Sequence, residues 1–150
     1  KLKRKEISIL RQKIGAVFQD FRLLTDRTLG ENLEMALAIK RVSKEEWEKR
    51  TDQALRLVGL FTRADLFPAQ LSGGELQRAS LARALVINPE VVFADEPTGN
   101  LDWKTAEAIV NLLQDINQEG KTVIMASHHQ VIIKKLKKRI IKLKEGRIVK

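Results

Sequence analysis

The chain reads as an α/β fold with a helical block set into it, and three observations carry that expectation. Apolar runs at Ile14 to Phe18, in "VVFAD" and in "TVIMAS" each end on polar residues, as strands do when they deliver functional groups to one edge of a sheet. The last two runs are separated by "WKTAEAIVNLLQDINQ", an amphipathic helix pattern, and strand-helix-strand alternation implies parallel strands. Between the first and second runs lie three S/T-x-x-E pairs, Thr28 with Glu31, Ser43 with Glu46 and Ser72 with Glu75, each a capping-box signature of a helix start. Residues 28–85 therefore form the expected helical subdomain, and 1–27 and 86–150 the two portions of one α/β core.

Taken in order, a short helical lead in "ISILRQK" precedes the strand at Ile14 to Phe18, and the polar stretch "QDFRLLTDR" reads as a loop. Helices follow over "TLGENLEMALAIKR" and "SKEEWEKRTDQALRLV", the second stopped by Gly59. Pro68 interrupts "LFPAQ", and the helix in "QLSGGELQRASLARAL" begins at Ser72 and ends near Asn88-Pro89. The strands "VVFAD" and "TVIMAS" flank a helix that stops at Gly120. The tail "RIIKLKEGRIVK" alternates about Glu145-Gly146 and predicts a hairpin.

At 150 residues and 43% apolar content the chain suffices for one domain with a core. It has no cysteine, which excludes disulfide staples and thiolate zinc sites and fits a reducing compartment. No apolar run approaches the roughly 18 residues of a membrane span, and no signal-peptide pattern is visible. The formal charge of +9 is uneven: from Lys134 to Lys150 nine basic residues face Glu145 alone. A solvated surface is the favoured reading of that tail over an anionic membrane or a nucleic acid, because the aromatic residues that stack bases are missing from it.

Four places could carry chemistry. Asp95 and Glu96 stand at the end of a buried strand, where one carboxylate could hold magnesium and the other orient or deprotonate a water; the plain alternative is a pair that caps the next loop. Ser127, His128 and His129 end the next strand. No HExxH pattern supports a metal there, and His128 is read as a hydrogen-bond donor near the acidic pair. Gln19 ends the first strand with an amide that can ligate a metal or place a water. Finally, Ser72, Gly73 and Gly74 open a helix with unsatisfied N–H groups and no bulky side chains, which suits a phosphate. The alternative there is a flexible turn.

In their order and spacing, "LSGGE", "VVFADEPTGNLD", the glutamine after "IGAVF" and the histidine in "MASHH" resemble the ATP-binding subunits of ABC transporters. The resemblance covers nearly the whole chain and implies a P-loop NTPase-like ABC ATPase core, with ATP and magnesium as its ligands. It implies that Gln19 senses magnesium and the γ-phosphate, that Asp95 holds magnesium through water, and that Glu96 is the catalytic base. Ser72, Gly73, Gly74 and Glu75 would form the signature, Asn100, Leu101 and Asp102 the D-loop, and His128 the switch at the γ-phosphate. Two subunits of the family meet head to tail, so the glycines would serve a phosphate held by the partner, and an integral membrane subunit would complete the assembly on the cytoplasmic face of the bacterial inner membrane. Within the family "RQKIGAVFQDFRLLTDRTLGEN" looks most like the cell-division branch, while "ADEPTGNLD" is shared with lipoprotein-releasing and macrolide-export ATPases.

Two departures qualify the resemblance. A Gly-rich phosphate loop is missing: in Gly120-Lys121-Thr122 the motif's first glycine falls on Asp115 and a strand follows where a helix is required. The N-terminal strands and phosphate loop are expected before residue 1, and the 150-residue chain alone is expected to bind ATP poorly and not to turn it over. A non-catalytic subunit that lends its signature to a partner is the alternative of another class. The second departure is His129, where the family usually has aspartate.

Overall fold

The computed structural model describes residues 3–149, so Lys1, Leu2 and Lys150, at the extremities of the basic opening and tail, lie outside the described residues. The three apolar runs form one parallel sheet: β1 (Ile14–Val17), β2 (Val91–Asp95) and β3 (Thr122–Ala126), with β2 in the middle. The register sets Val17, Ala94 and Met125 in one row and Gly15, Val92 and Val123 in another. Because strand side chains alternate, both rows face the same side. There they meet α4 (Gly73–Val86) and α5 (Trp103–Gln118) in a core that includes Leu81, Leu85, Ile109, Leu113 and Ile116. A Cβ on Gly15 would stand 2.5 Å from the Ala84 carbonyl oxygen, so α4 lies against β1 at a distance only glycine permits.

The helical block holds a second core. In α2 (Leu29–Lys40), Leu29, Leu33 and Leu37 recur at i+4 along one stripe and are buried against Leu55 of α3 (Trp47–Leu57) and Ala79, Ala82 and Val86 of α4. Helix α4 thus serves both cores: Ala79 and Ala82 face the helices, Leu81 and Ala84 the sheet. The expected division at residue 85 passes through this shared element.

Two of the three capping boxes form. Thr28 Oγ1 accepts from the Glu31 N–H at 3.3 Å and Glu31 Oε2 accepts from the Thr28 N–H at 2.8 Å; Ser72 and Glu75 do the same for α4. Ser43 with Glu46 does not. A 3₁₀ turn over Lys44–Glu46 comes first, closed by the Glu46 N–H on the Ser43 carbonyl at 3.1 Å; the Ser43 side chain makes no capping bond, and α3 starts at Trp47. The reason is competition: Glu46 is drawn forward to Arg50, one turn on, at 2.6 Å. Helix α3 ends as expected, with the Gly59 and Leu60 N–H groups turned back to the carbonyls of Arg56 and Leu55.

The lead helix is α1 (Arg4–Arg11), and a short helix not expected from the sequence, α6 (Gln130–Leu136), follows β3. The tail forms the hairpin of β4 (Lys142–Lys144) and β5 (Arg147–Val149), all of it exposed. Among the described residues no helix is long and apolar enough to cross a membrane.

Candidate functional site

The polar strand ends converge around Glu96. Its N–H donates to the Ala126 carbonyl at 3.0 Å, which holds the exit of β2 to that of β3, and its carbonyl accepts from the Gly99 N–H at 3.1 Å, closing the following turn. Glu96 has φ of 45°, a left-handed conformation that costs a non-glycine residue about 1 kcal/mol or more. The side chain is thereby aimed at His128, whose Nδ1 lies 2.8 Å from Oε1, while Oε2 is buried with no partner among the described residues. His128 itself is 81% exposed, so its Nε2 faces outward. A neutral imidazole that donates from Nδ1 presents Nε2 as an acceptor, so opposite an ionised Glu96 the ring can hydrogen-bond the carboxylate and donate to an outer anion at once only as imidazolium.

Gln19 is brought to the same turn. Its Nε2 donates to Asn100 Oδ1 at 3.3 Å, and a Cβ on Gly99 would approach that nitrogen to 3.0 Å. The chain beyond it is strained, since Phe21 and Arg22 both have positive φ, 59° and 49°. Arg83 of α4 holds this turn: its Nη2 donates to the Phe21 carbonyl at 2.9 Å and its Nη1 to that of Arg22. Burial pulls the Arg83 guanidinium below its usual pKa. Nothing in the local sequence around Arg83 signals this role, because its partners lie some sixty residues away.

The Ser72–Glu75 segment and the Asn100–Asp102 segment face each other across a cleft of about 510 Å³. Each caps its helix. Hydrogen bonds from the Ser72 backbone and hydroxyl hold the Glu75 carboxyl below the usual carboxylate range, and the Thr105 hydroxyl and N–H do the same for Asp102. The two glycines have different reasons. A Cβ on Gly73 would meet nothing nearer than Leu101 Cδ2 at 4.0 Å, so this residue opens onto the cleft. A Cβ on Gly74 would stand 2.5 Å from Thr105 Cγ2, so Gly74 admits the start of α5. Thr105 is a contact the sequence reading missed.

Asp95 ends β2 beside Ala126, exposed at the strand edge. Lys121 of the Gly-Lys-Thr triplet is a structural cation: its Nζ donates to Asn88 Oδ1 at 2.6 Å and to the Pro89 carbonyl, away from the strand ends. The structure thus brings Gln19, Glu96, Asn100 and His128 into one constellation and places Ser72, Gly73, Gly74, Glu75 and Asp102 around the neighbouring cleft.

A parallel α/β domain whose strand ends carry an amide, a carboxylate pair and a histidine, next to a glycine-opened helix, belongs to a nucleotide-hydrolase class of folds. The chain belongs to the ABC transporter family, whose profile matches residues 1–99. Over 149 residues it is 48% identical to the cell division ATP-binding protein FtsE of Bacillus subtilis (strain 168), covering 99% of this chain and 65% of that protein. It is 45% identical over 150 residues to the methionine import ATP-binding protein MetN of Geobacillus kaustophilus (strain HTA426), covering 99% of this chain and 44% of that one. Among solved structures, the dimeric ATP-binding cassette MJ0796, in a post-hydrolysis state bound to ADP and Pi, superposes with a TM-score of 0.85 at 41% identity, over 99% of this chain and 66% of that chain. The fold is that of an ABC ATPase cassette, and the chain spans about 65% of the length of its FtsE relatives.

Proposed function

We propose that the chain forms part of the ATP-hydrolysing subunit of an ABC-type membrane complex of the FtsE kind, which works with an FtsX-like membrane subunit in septal peptidoglycan remodelling. One observation carries the chemical reading: Glu96 is fixed by the β2–β3 junction with one oxygen on His128 and the other buried without a partner. The Glu96 side chain remains 22% exposed although Oε2 is buried, so the carboxylate meets water on the side of His128, where it can act as a base. Gln19, tied to Asn100, sets the position of the water or metal ligand, and His128 offers its outer nitrogen to the terminal phosphate. The oxygen donors here suit magnesium: Asp95 is exposed at the strand end and the Gln19 amide leaves its oxygen free, both hard ligands. Magnesium, when bound with the nucleotide, neutralises charge on the phosphates. Ser72, Gly73, Gly74, Glu75 and Asp102 are assigned to the partner subunit's nucleotide in a head-to-tail dimer, in keeping with the open cleft in front of Gly73.

The cell-division assignment rests on the FtsE similarity and on "FRLLTDRT" after Gln19, and it places the protein at the cytoplasmic face of the inner membrane as a peripheral subunit. MetN stands close enough that the membrane partner must be established directly. Co-purification with a four-span FtsX-like protein supports the assignment; recovery with a methionine or lipoprotein permease replaces it.

The catalytic test compares the 150-residue chain with a version carrying a Gly-rich Lys-Ser/Thr loop and its strand before residue 1. The chain alone is expected to bind ATP weakly and release no phosphate, and the extended protein to hydrolyse magnesium-ATP. In the latter Glu96→Gln is expected to keep ATP binding while lowering phosphate release by about 10²-fold or more. Turnover that survives Glu96→Gln removes Glu96 from the role of base.

A further inference from the structure

His129, which departs from the aspartate usual after the switch histidine, has a partner in this structure. Its ring lies 5.8 Å from the Trp103 indole, centroid to centroid, inclined at 44°. The backbone around it is fixed as well: the His129 N–H donates to Ser127 Oγ at 3.1 Å, and its carbonyl accepts from the Ile133 N–H at 3.1 Å as α6 begins. Trp103 is the first residue of α5, directly after Asp102, which caps that helix. The indole also borders a small cavity of about 110 Å³ whose other walls include Val110 of α5 and Ile132 and Leu136 of α6.

The pairing is selective. His129 Nδ1 is buried with no hydrogen-bond partner among the described residues, so the ring is held by its packing and not by a polar bond from that nitrogen. A tilted aromatic pair at this separation is a favourable contact beyond the area it covers. The ring at 129 and the indole at 103 therefore belong together.

We propose that Trp103 and His129 are positioning residues: their stack ties the loop carrying His128 to the start of the helix capped by Asp102, so that a shift at Asp102 is passed to the contact between His128 and Glu96. The functional meaning of the link rests on the ATPase reading, since Asp102 would face the partner subunit and His128 the chain's own nucleotide. The link itself is a property of this chain.

The test uses histidine-labelled NMR on the full chain, which has only two histidines and so gives two Cε1–H signals. The His129 signal is expected to be displaced upfield by the indole ring current. Trp103→Leu is expected to abolish that displacement and also to move the His128 signal, whereas Trp103→Phe keeps a ring and leaves His128 where it was. Glu96→Gln marks how far His128 moves when its partner oxygen is replaced. Should Trp103→Leu fail to fold, Asp102→Asn gives the second reading: the His128 signal follows it through the intact stack. A His128 signal indifferent to both substitutions, or a His129 signal without ring-current displacement, overturns the proposal. Hydrolysis is not read here, so coupled signals in a protein whose turnover ignores Glu96→Gln would leave the link standing and remove the ATPase reading.

Discussion

Gly74 shows how a single missing Cβ can be mistaken for ligand space. In the sequence the pair Gly73-Gly74 reads as a phosphate seat, and both line the cleft, yet only Gly73 has room for a side chain; the space beside Gly74 is filled by the Thr105 methyl, 2.5 Å from an added Cβ. Thr105 cannot swing aside freely, because its hydroxyl donates to Asp102 Oδ2 at 2.5 Å and its N–H to Oδ1 at 3.1 Å. Gly74→Ala is therefore expected to destabilise the chain by about 1–3 kcal/mol, the usual range for overpacking, in chemical denaturation. Gly73→Ala should cost far less. Thr105→Ser deletes the methyl and keeps the hydroxyl bond, so it should restore most of the loss in the double variant; no rescue would show that the clash is not the cause. The polar residues at strand ends were legible because each follows an apolar run. Thr105, Trp103 and Arg83 were not, since each acts on a residue that only the tertiary fold brings near.

At the scale of elements, capping chemistry was legible wherever nothing competed for the glutamate. Thr28 with Glu31 and Ser72 with Glu75 close their boxes, whereas Arg50 draws Glu46 away from Ser43 and shortens α3. Helix α6 escaped notice because its short basic sequence has no cap signal; Ile132, buried against Ala106 and Val110, is what holds it in place. The loop after Gln19 depends on another element altogether. Phe21 and Arg22 each occupy the left-handed region, a conformation worth about 1–2 kcal/mol of strain per residue, and the Arg83 guanidinium joins both carbonyls. Arg83→Met keeps much of the stem and removes the donors, and is expected to cost about 2–3 kcal/mol with faster amide exchange over residues 20–24. Arg83→Lys should not rescue it, since one ammonium lacks the planar fork. Arg22→Gly should recover part of the loss by relieving one strained residue. Equal exchange in wild type and Arg83→Met would mean that the turn holds itself, through the Arg22 stack on Phe18 at 4.2 Å and the Arg22 bond to Asp20.

Across the whole molecule the two faces of the sheet differ. Parallel sheets are normally covered on both sides, and among the described residues α4 and α5 cover one. The opposite face presents the row Ala16, Phe93 and Ile124, in which Phe93 is 38% and Ile124 50% exposed. A half-exposed side chain contributes only part of the burial of a core residue, so replacing it should cost less than the same truncation inside the core. The double variant Phe93→Ser with Ile124→Thr is accordingly expected to cost about 1–3 kcal/mol in urea denaturation, most of it from the covered part of the Phe93 ring. Self-association measured by sedimentation should fall at the same time, since an apolar sheet face is where copies would stick. A loss of roughly 5 kcal/mol or more would mean instead that the face is covered in solution, and concentration dependence of that loss would show whether a second copy covers it.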